Sequence, residues 1–327
     1  MKQLVEITHN KLKLLRIQYT LSDICNYKCW YCFPGCNDGS TRWPNVDVVK
    51  VNLTKLINYY LESKIVDKVQ LNLLGGEPTL WPDLGELIEY ISINTKCTIS
   101  VQTNASRTLR WWEKYGQYFD HVGMSIHHEK VNVDHISNVA SILVSKKVSV
   151  LAVVLMDHTV WDKCIGLVDE LKKTETKFMI LAKPIHINGV TSYTDEQKKY
   201  LNKSLKRIPS LKLLWQNRIL YKEIMRYNAI FDDGSKVKVD SEHYFILNNL
   251  NKFKGWECNL GINFLAISKK GEVTGTCFQH LYGKKDFYNI NDNDFVEKFN
   301  PVIKPVICEK SLCLCAGETS LPKRMII

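Results

Sequence analysis

The sequence predicts an α/β fold: an open, partial (β/α)6 barrel followed by a small α+β, cysteine-rich C-terminal extension. Three observations carry this. Strand-like and helix-like segments alternate between residues 12 and 182, which implies crossover connections and a parallel sheet. The strands in that run number about six, too few for a closed eight-stranded barrel. Cys258, Cys277, Cys308, Cys313 and Cys315 crowd the last quarter, beyond the alternating region.

Residues 12–20 alternate apolar and polar side chains imperfectly and read as a first strand leading into Cys25. Val46–Ser63 places Leu53, Leu56, Ile57 and Tyr60 on one helical face. Lys68–Leu74 is a strand ended by Gly75-Gly76, and Pro82–Ile93 is a helix that starts at proline. Cys97–Gln102, Val122–Ile126, Val148–Met156 and Lys177–Ala182 read as the remaining strands, the last stopped by Pro184. The helices between them are Leu109–Tyr118, Val133–Lys146 and Trp161–Lys172. Beyond the barrel, Asp195–Lys206 and Lys212–Tyr227 read as Lys-rich helices and Lys236–Val239 as a short strand after an Asp-Asp-Gly turn. Strands at Phe264–Ser268 and Glu272–Cys277 flank a Lys269-Lys270-Gly271 turn. The expected organisation is a barrel over 1–184, a Lys-rich helical connection over 185–255 and the cysteine-rich extension over 256–327.

Composition narrows the class. Hydrophobic residues make up 45% of the chain and charged ones 24%, ordinary for a globular protein with a large core. The net charge of +10 is compatible with nucleotides, nucleic acid or acidic peptides, and equally with lysines on solvated helix faces. No signal peptide and no apolar run of membrane-spanning length is found, so a cytoplasmic protein with reduced thiols is expected. Clustered cysteines in such a setting read as metal ligands before disulfides.

The chemistry concentrates at the predicted strand ends, where (β/α) folds place their sites. Cys25-x-x-x-Cys29-x-x-Cys32 puts three thiols close together. Three thiolates on a four-iron cubane leave one iron open for a cofactor, whereas the same spacing also suits tetrahedral zinc. Leu74-Gly75-Gly76-Glu77-Pro78 then follows an apolar strand, and its glycines allow a close backbone approach. Cys36 reads as a loop thiol, Cys97 and Cys164 as small buried side chains, and His127-His128 as structural or surface more readily than as pocket lining.

The cysteine triad with Tyr31 inside it, followed by Gly75-Gly76-Glu77-Pro78, resembles the radical S-adenosylmethionine (radical SAM) superfamily. The resemblance spans about residues 12 to 182. It implies a [4Fe–4S] cluster on Cys25, Cys29 and Cys32 whose open iron chelates S-adenosylmethionine, an electron donor of the flavodoxin or ferredoxin type, and a 5′-deoxyadenosyl radical that takes a hydrogen atom from substrate. By position, Tyr31 is the aromatic residue beside the adenine, Gly75, Gly76 and Glu77 hold the methionine amine, and Asn104 and Ser125 are strand-end polar residues near the cofactor. The stretch from Gly255 through Cys258 to Cys277 resembles the twitch or SPASM-like extension that carries auxiliary clusters. That implies a second [4Fe–4S] cluster on four of Cys258, Cys277, Cys308, Cys313 and Cys315, although the Cys308-x4-Cys313-x-Cys315 spacing departs from the usual pattern.

Three functions remain. A peptide or amino-acid side chain is favoured as substrate by the extension. The first cysteine, at residue 25, is expected to leave no room for a separate leader-binding domain, which counts against it. A nucleobase, nucleotide or nucleic acid is favoured by the net charge and the Lys-rich 195–226 segment. A non-catalytic iron–sulfur or zinc protein is the third reading, opposed by the Gly-Gly-Glu-Pro motif.

Overall fold

The computed structural model describes residues 2–9, 13–32, 35–176, 178–187, 191–206, 227–239, 241–274, 288–300, 304–313, 319 and 321–326. The alternation read from the sequence is present. Strands β2 (Leu14–Thr20), β3 (Lys68–Leu74), β4 (Thr98–Thr103), β5 (His121–Ile126), β6 (Ser149–Met156) and β7 (Met179–Pro184) lie side by side in chain order. Every neighbouring pair is parallel. Helices α1 (Val46–Glu62), α2 (Leu84–Asn94), α3 (Leu109–Tyr115), α4 (Val133–Ser145), α5 (Trp161–Lys173) and α6 (Asp195–Lys206) follow the six strands in turn.

Local chemistry starts the helices where they start. The Asn45 side chain accepts from the Asp47 and Val48 amides at the head of α1, and Asn132 accepts from the His135 amide at the head of α4. Proline does not begin α2. Pro82 precedes it, and Pro78–Leu80 forms a separate 3₁₀ turn capped by Glu77. Leu71, Leu73, Val101, Val122 and Val154 are fully buried, as are Leu53, Leu56, Ile57 and Tyr60 of α1. Strands this apolar are buried on both faces, as parallel sheets require.

The sheet runs on past β2. Strand β11 (Phe264–Ile267) pairs parallel with β2, with Leu265 opposite Ile17. Strands β12 (Glu272–Thr274) and β13 (Tyr288–Asn289) continue antiparallel, giving a nine-stranded sheet in the order β13-β12-β11-β2-β3-β4-β5-β6-β7. The sheet is open, with β13 and β7 at its edges among the described residues.

A second, antiparallel sheet has the order β14-β10-β15-β1-β8-β9. Its strands are β1 (Leu4–His9), β8 (Tyr227–Phe231), β9 (Lys236–Val239), β10 (Glu257–Cys258), β14 (Val306–Ile307) and β15 (Lys323–Arg324). The short helices α7 (His243–Leu247) and α8 (Phe295–Lys298) complete the described elements. The sequence predicts no strand over Leu4–His9, where β1 forms. Of the helix expected over Lys212–Tyr227, residues up to 226 lie outside the described ones, and Tyr227 itself opens β8. Tyr227, Ala229 and Phe231 are buried alternately with Asn228 and Ile230, a period of two rather than 3.6.

Candidate active site

The cysteine loop is delivered by β2 and clamped by the loop after β3. Past Thr20 the chain stays paired: the Leu21 amide donates to Leu74 O (2.8 Å), the Gly76 amide to Ser22 O (2.8 Å) and the Glu77 amide to Ile24 O (2.8 Å). This contact explains the two glycines. A Cβ on Gly75 would stand 2.4 Å from Ser22 O, and one on Gly76 would stand 2.2 Å from Ile24 O. Gly75 also has φ +147°, which side chains disfavour. The glycines therefore let one backbone run hard against another, immediately before Cys25.

Cys25, Cys29 and Cys32 are half-buried free thiols on one loop. The Tyr27 amide points at Cys25 Sγ (3.3 Å), and the Cys32 amide donates to Cys29 O (3.1 Å). Burial pushes the Cys29 thiol up to about 11 and the Cys32 thiol up to about 12. Metal loading would therefore release protons. Among the described residues, the donors tight enough to share a single ion are Cys29, His127 and Glu129, whose ligand atoms lie within 4.8 Å of one another. Cys25 and Cys32 stand outside that group. Three free thiols on one half-open loop are a donor set that fits a cluster with three protein ligands.

Glu77 is fully buried, and its carboxylate is spoken for. Oε1 accepts from the Thr79 amide (3.0 Å) and the Thr79 and Thr103 hydroxyls (2.6 Å each), while Oε2 accepts from the Asn104 amide (2.6 Å). Burial raises its pKa and these hydrogen bonds oppose the rise. The side chain thus locks the ends of β3 and β4 together. Asn104 donates to Asn26 Oδ1 (2.8 Å), tying the end of β4 back to the cysteine loop.

Beside the loop lies a pocket of about 240 Å³ lined by Asn104 and Ser125 together with Tyr27, His127, Asn132 and His135. The two strand-end polar residues singled out in the sequence thus share one cavity. Tyr31 is buried; its ring stacks on His127 (5.9 Å between centroids, 4° between planes), and its hydroxyl donates to Glu129 Oε2 (3.0 Å). His127 Nδ1 lies 3.2 Å from Cys29 Sγ and 3.0 Å from Tyr31 Oη. Burial lowers the His127 pKa to about 4. His127, expected from the sequence as structural or surface more readily than as pocket lining, lines the pocket and touches Cys29.

Two site residues carried no sequence signal of their own. Asp23 is fully buried and meets Lys269 Nζ at 2.7 Å; Lys269 also donates to Gly35 O (2.8 Å). One lysine from the turn after β11 thus holds the cysteine loop on both flanks. Burial pushes the Asp23 carboxyl up, but hydrogen bonds from Lys269, Ser40 and Thr41 outweigh it and hold it far below the usual carboxylate range.

Of the C-terminal cysteines, Cys258 and Cys313 are buried and Cys308 half-buried. The Cys308 amide donates to Trp256 O (2.8 Å), and Asn251 holds Cys313 through both its backbone carbonyl and its side chain (2.8 Å each). Cys258 lies within electrostatic range of both other thiols. Cys277 and Cys315 fall outside the described residues.

Comparison with known proteins agrees with the barrel half. Residues 19–135 match the family profile described as the Radical SAM superfamily. A S-adenosylmethionine-dependent nucleotide dehydratase from Fibrobacter sp. (strain UWH6) is 31% identical over 128 residues, 39% of this chain and 37% of that protein. A GTP 3′,8-cyclase from Psychromonas ingrahamii is 34% identical over 92 residues, 28% of this chain and 25% of that protein. The chain thus spans about a third of the length of the curated relatives it matches. The crystal structure of Streptococcus suis SuiB superposes with a TM-score of 0.52 at 15% identity, covering 86% of this chain and 64% of that one, a likeness of fold. No helix among the described residues is long and apolar enough to cross a membrane. The stretch from residue 19 to 135 is thus similar to the Radical SAM superfamily.

Proposed function

We propose that this protein reductively cleaves S-adenosylmethionine and uses the 5′-deoxyadenosyl radical to take a hydrogen atom from a nucleotide. The observation that carries this is the clamp between residues 22–24 and Gly75-Gly76-Glu77, which sets three free thiols beside the pocket that holds Asn104, Ser125 and His127. Cys25, Cys29 and Cys32 would hold a [4Fe–4S] cluster, which supplies an electron and an open iron for the cofactor. Glu77 braces the strand ends rather than facing a ligand, because its buried oxygens accept from Thr79, Thr103 and Asn104. Asn104, Ser125 and Tyr27 are left to orient the cofactor. His127 stays neutral and caps the cysteine side of the pocket.

The nucleotide replaces the peptide as first choice because the relatives across the barrel half are named for nucleotide chemistry and the chain is basic. The anaerobically reconstituted protein, given S-adenosylmethionine and dithionite, is expected to release 5′-deoxyadenosine. A variant with Cys25, Cys29 and Cys32 all changed to Ala is expected to release none. Equal release from the two proteins would overturn the reading.

We also propose that Cys258, Cys308 and Cys313, with one more C-terminal cysteine, hold an auxiliary cluster. The triple Ala variant should then retain iron and sulfide for one cluster, and a variant free of iron refutes this.

A further inference from the structure

A second polar group stands at the same carboxyl end of the sheet, on the β7 side. Lys183 lies one residue from the end of β7 and is only partly exposed. Among the described residues its ammonium makes no hydrogen bond or ion pair. Burial pulls its pKa down, and the charge that opposes this is Glu242. His186 and His243 lie within its electrostatic reach, their rings 5.6 Å apart. His127, the residue in contact with Cys29, also feels the Lys183 charge. Burial lowers His186 to about 4 and pushes His243 well below its ordinary value, so both imidazoles are neutral at pH 7.

Among the described residues, the bonding capacity of this group is unmet. His186 Nδ1 and Glu242 Oε2 are buried and, among the described residues, lack partners. Leaving such buried groups unpaired destabilises a fold, and more so when the group is charged. The contrast lies within the same protein: Asp23, equally buried, has Lys269 at 2.7 Å and further donors besides. A structural lysine such as Lys269 is paired; among the described residues Lys183 is not. Nor do His186, His243 and Glu242 close to single-ion spacing, as Cys29, His127 and Glu129 do. What satisfies the set is one molecule that offers an anionic acceptor to the ammonium and a donor to the carboxylate.

We propose that Lys183, flanked by His186 and His243, seats a phosphate of the substrate, while Glu242 accepts from a hydroxyl of the same molecule. This rests on the nucleotide reading above and extends it by naming the part of the nucleotide that is gripped. The phosphate gives Lys183 a charge-assisted bond that nothing in the described protein supplies. The grip sits at the β7 end of the sheet, and His127, which lines the pocket, feels the Lys183 charge.

The test is calorimetric titration of the anaerobic, iron-loaded protein with the four ribonucleoside triphosphates plus magnesium, with the four nucleosides, and with inorganic tripolyphosphate. At least one triphosphate is expected to bind more tightly than its nucleoside. Lys183→Gln is expected to weaken it about 10- to 100-fold, with nucleoside binding and iron content unchanged. A triphosphate preference that survives Lys183→Gln overturns the seat while leaving the nucleotide reading intact. Absence of any phosphate binding to the wild-type protein also overturns it, and 5′-deoxyadenosine release from that preparation shows whether the radical chemistry stands independently. Should Lys183→Gln not load iron, wild-type protein decides: tripolyphosphate is expected to shield Lys183 from amine acylation read by mass spectrometry. Unchanged labelling overturns the proposal.

Discussion

At the scale of single residues, the site depends on contacts far apart in sequence. Asp23 and Lys269 are 246 positions apart and meet inside the protein. Lys269→Met leaves the Asp23 carboxylate buried with only neutral donors. Removing one member of a buried pair costs about 3–5 kcal/mol, and partial exposure of Lys269 brings the expected loss nearer about 2 kcal/mol. Urea unfolding is expected to show this loss, and iron incorporation to fall with it because the cysteine loop loses its strap. The pH dependence follows from the sign of the Asp23 shift. Its folded pKa is depressed, so the stabilisation is complete above the unfolded carboxylate value near 4. It disappears only as the pH falls toward the depressed value. Buried histidines act at milder pH. His121 is held down to about 3 and His186 to about 4 by burial. Both are therefore neutral when folded and protonate on unfolding below about 6.5. Stability is expected to fall between pH 6.5 and 4 by up to about 1.4 kcal/mol per pH unit for each histidine. Thermal melts of wild type and His121→Gln should diverge across that window; parallel curves would exclude His121 as a source.

At the scale of elements, backbone contacts decide more than side chains do. Gly76→Ala puts a methyl group against the Ile24 carbonyl, which is backbone and has little room to yield. The expected destabilisation is about 3 kcal/mol, with loss of 5′-deoxyadenosine formation, because the displaced segment is the one that leads into Cys25. Gly166, where an added Cβ meets nothing within 4 Å, is the control expected to tolerate Ala. The motif was legible in the sequence, and so was the capacity of its glycines for close approach. What they approach was not: the partner is another stretch of this chain. His127 was misjudged for a similar reason. Its place after β5 is a sequence fact, whereas the contact with Cys29 depends on how the β2 and β5 ends converge.

At the scale of the whole molecule, the two ends of the chain are built into shared sheets. β1 pairs with β8 and β15, and β11 pairs with β2. Asn52 of α1 donates to Ile290 O (2.9 Å) and Asp292 O (2.8 Å), so a barrel helix also grips the C-terminal segment. Cutting the chain after residue 255 would strip the β11 edge from β2 and remove Lys269. The truncated protein is expected to aggregate, as an uncovered apolar edge does. A monomeric truncation with native helical circular dichroism would show that the barrel stands alone.

The sequence by itself determined the six β/α repeats, the strand ends on which the chemistry sits, and the cysteine, glycine and strand-end polar residues gathered there. These are written in local periodicity and spacing, which a chain expresses without knowing its neighbours. The tertiary structure alone decided that β11 extends the barrel sheet, that β1 serves the other sheet, that Lys269 straps the cysteine loop, and that Lys183 is left without a partner among the described residues. Those are choices of hydrogen-bond and ion partner between segments hundreds of residues apart, and they leave no periodic trace in the segments themselves.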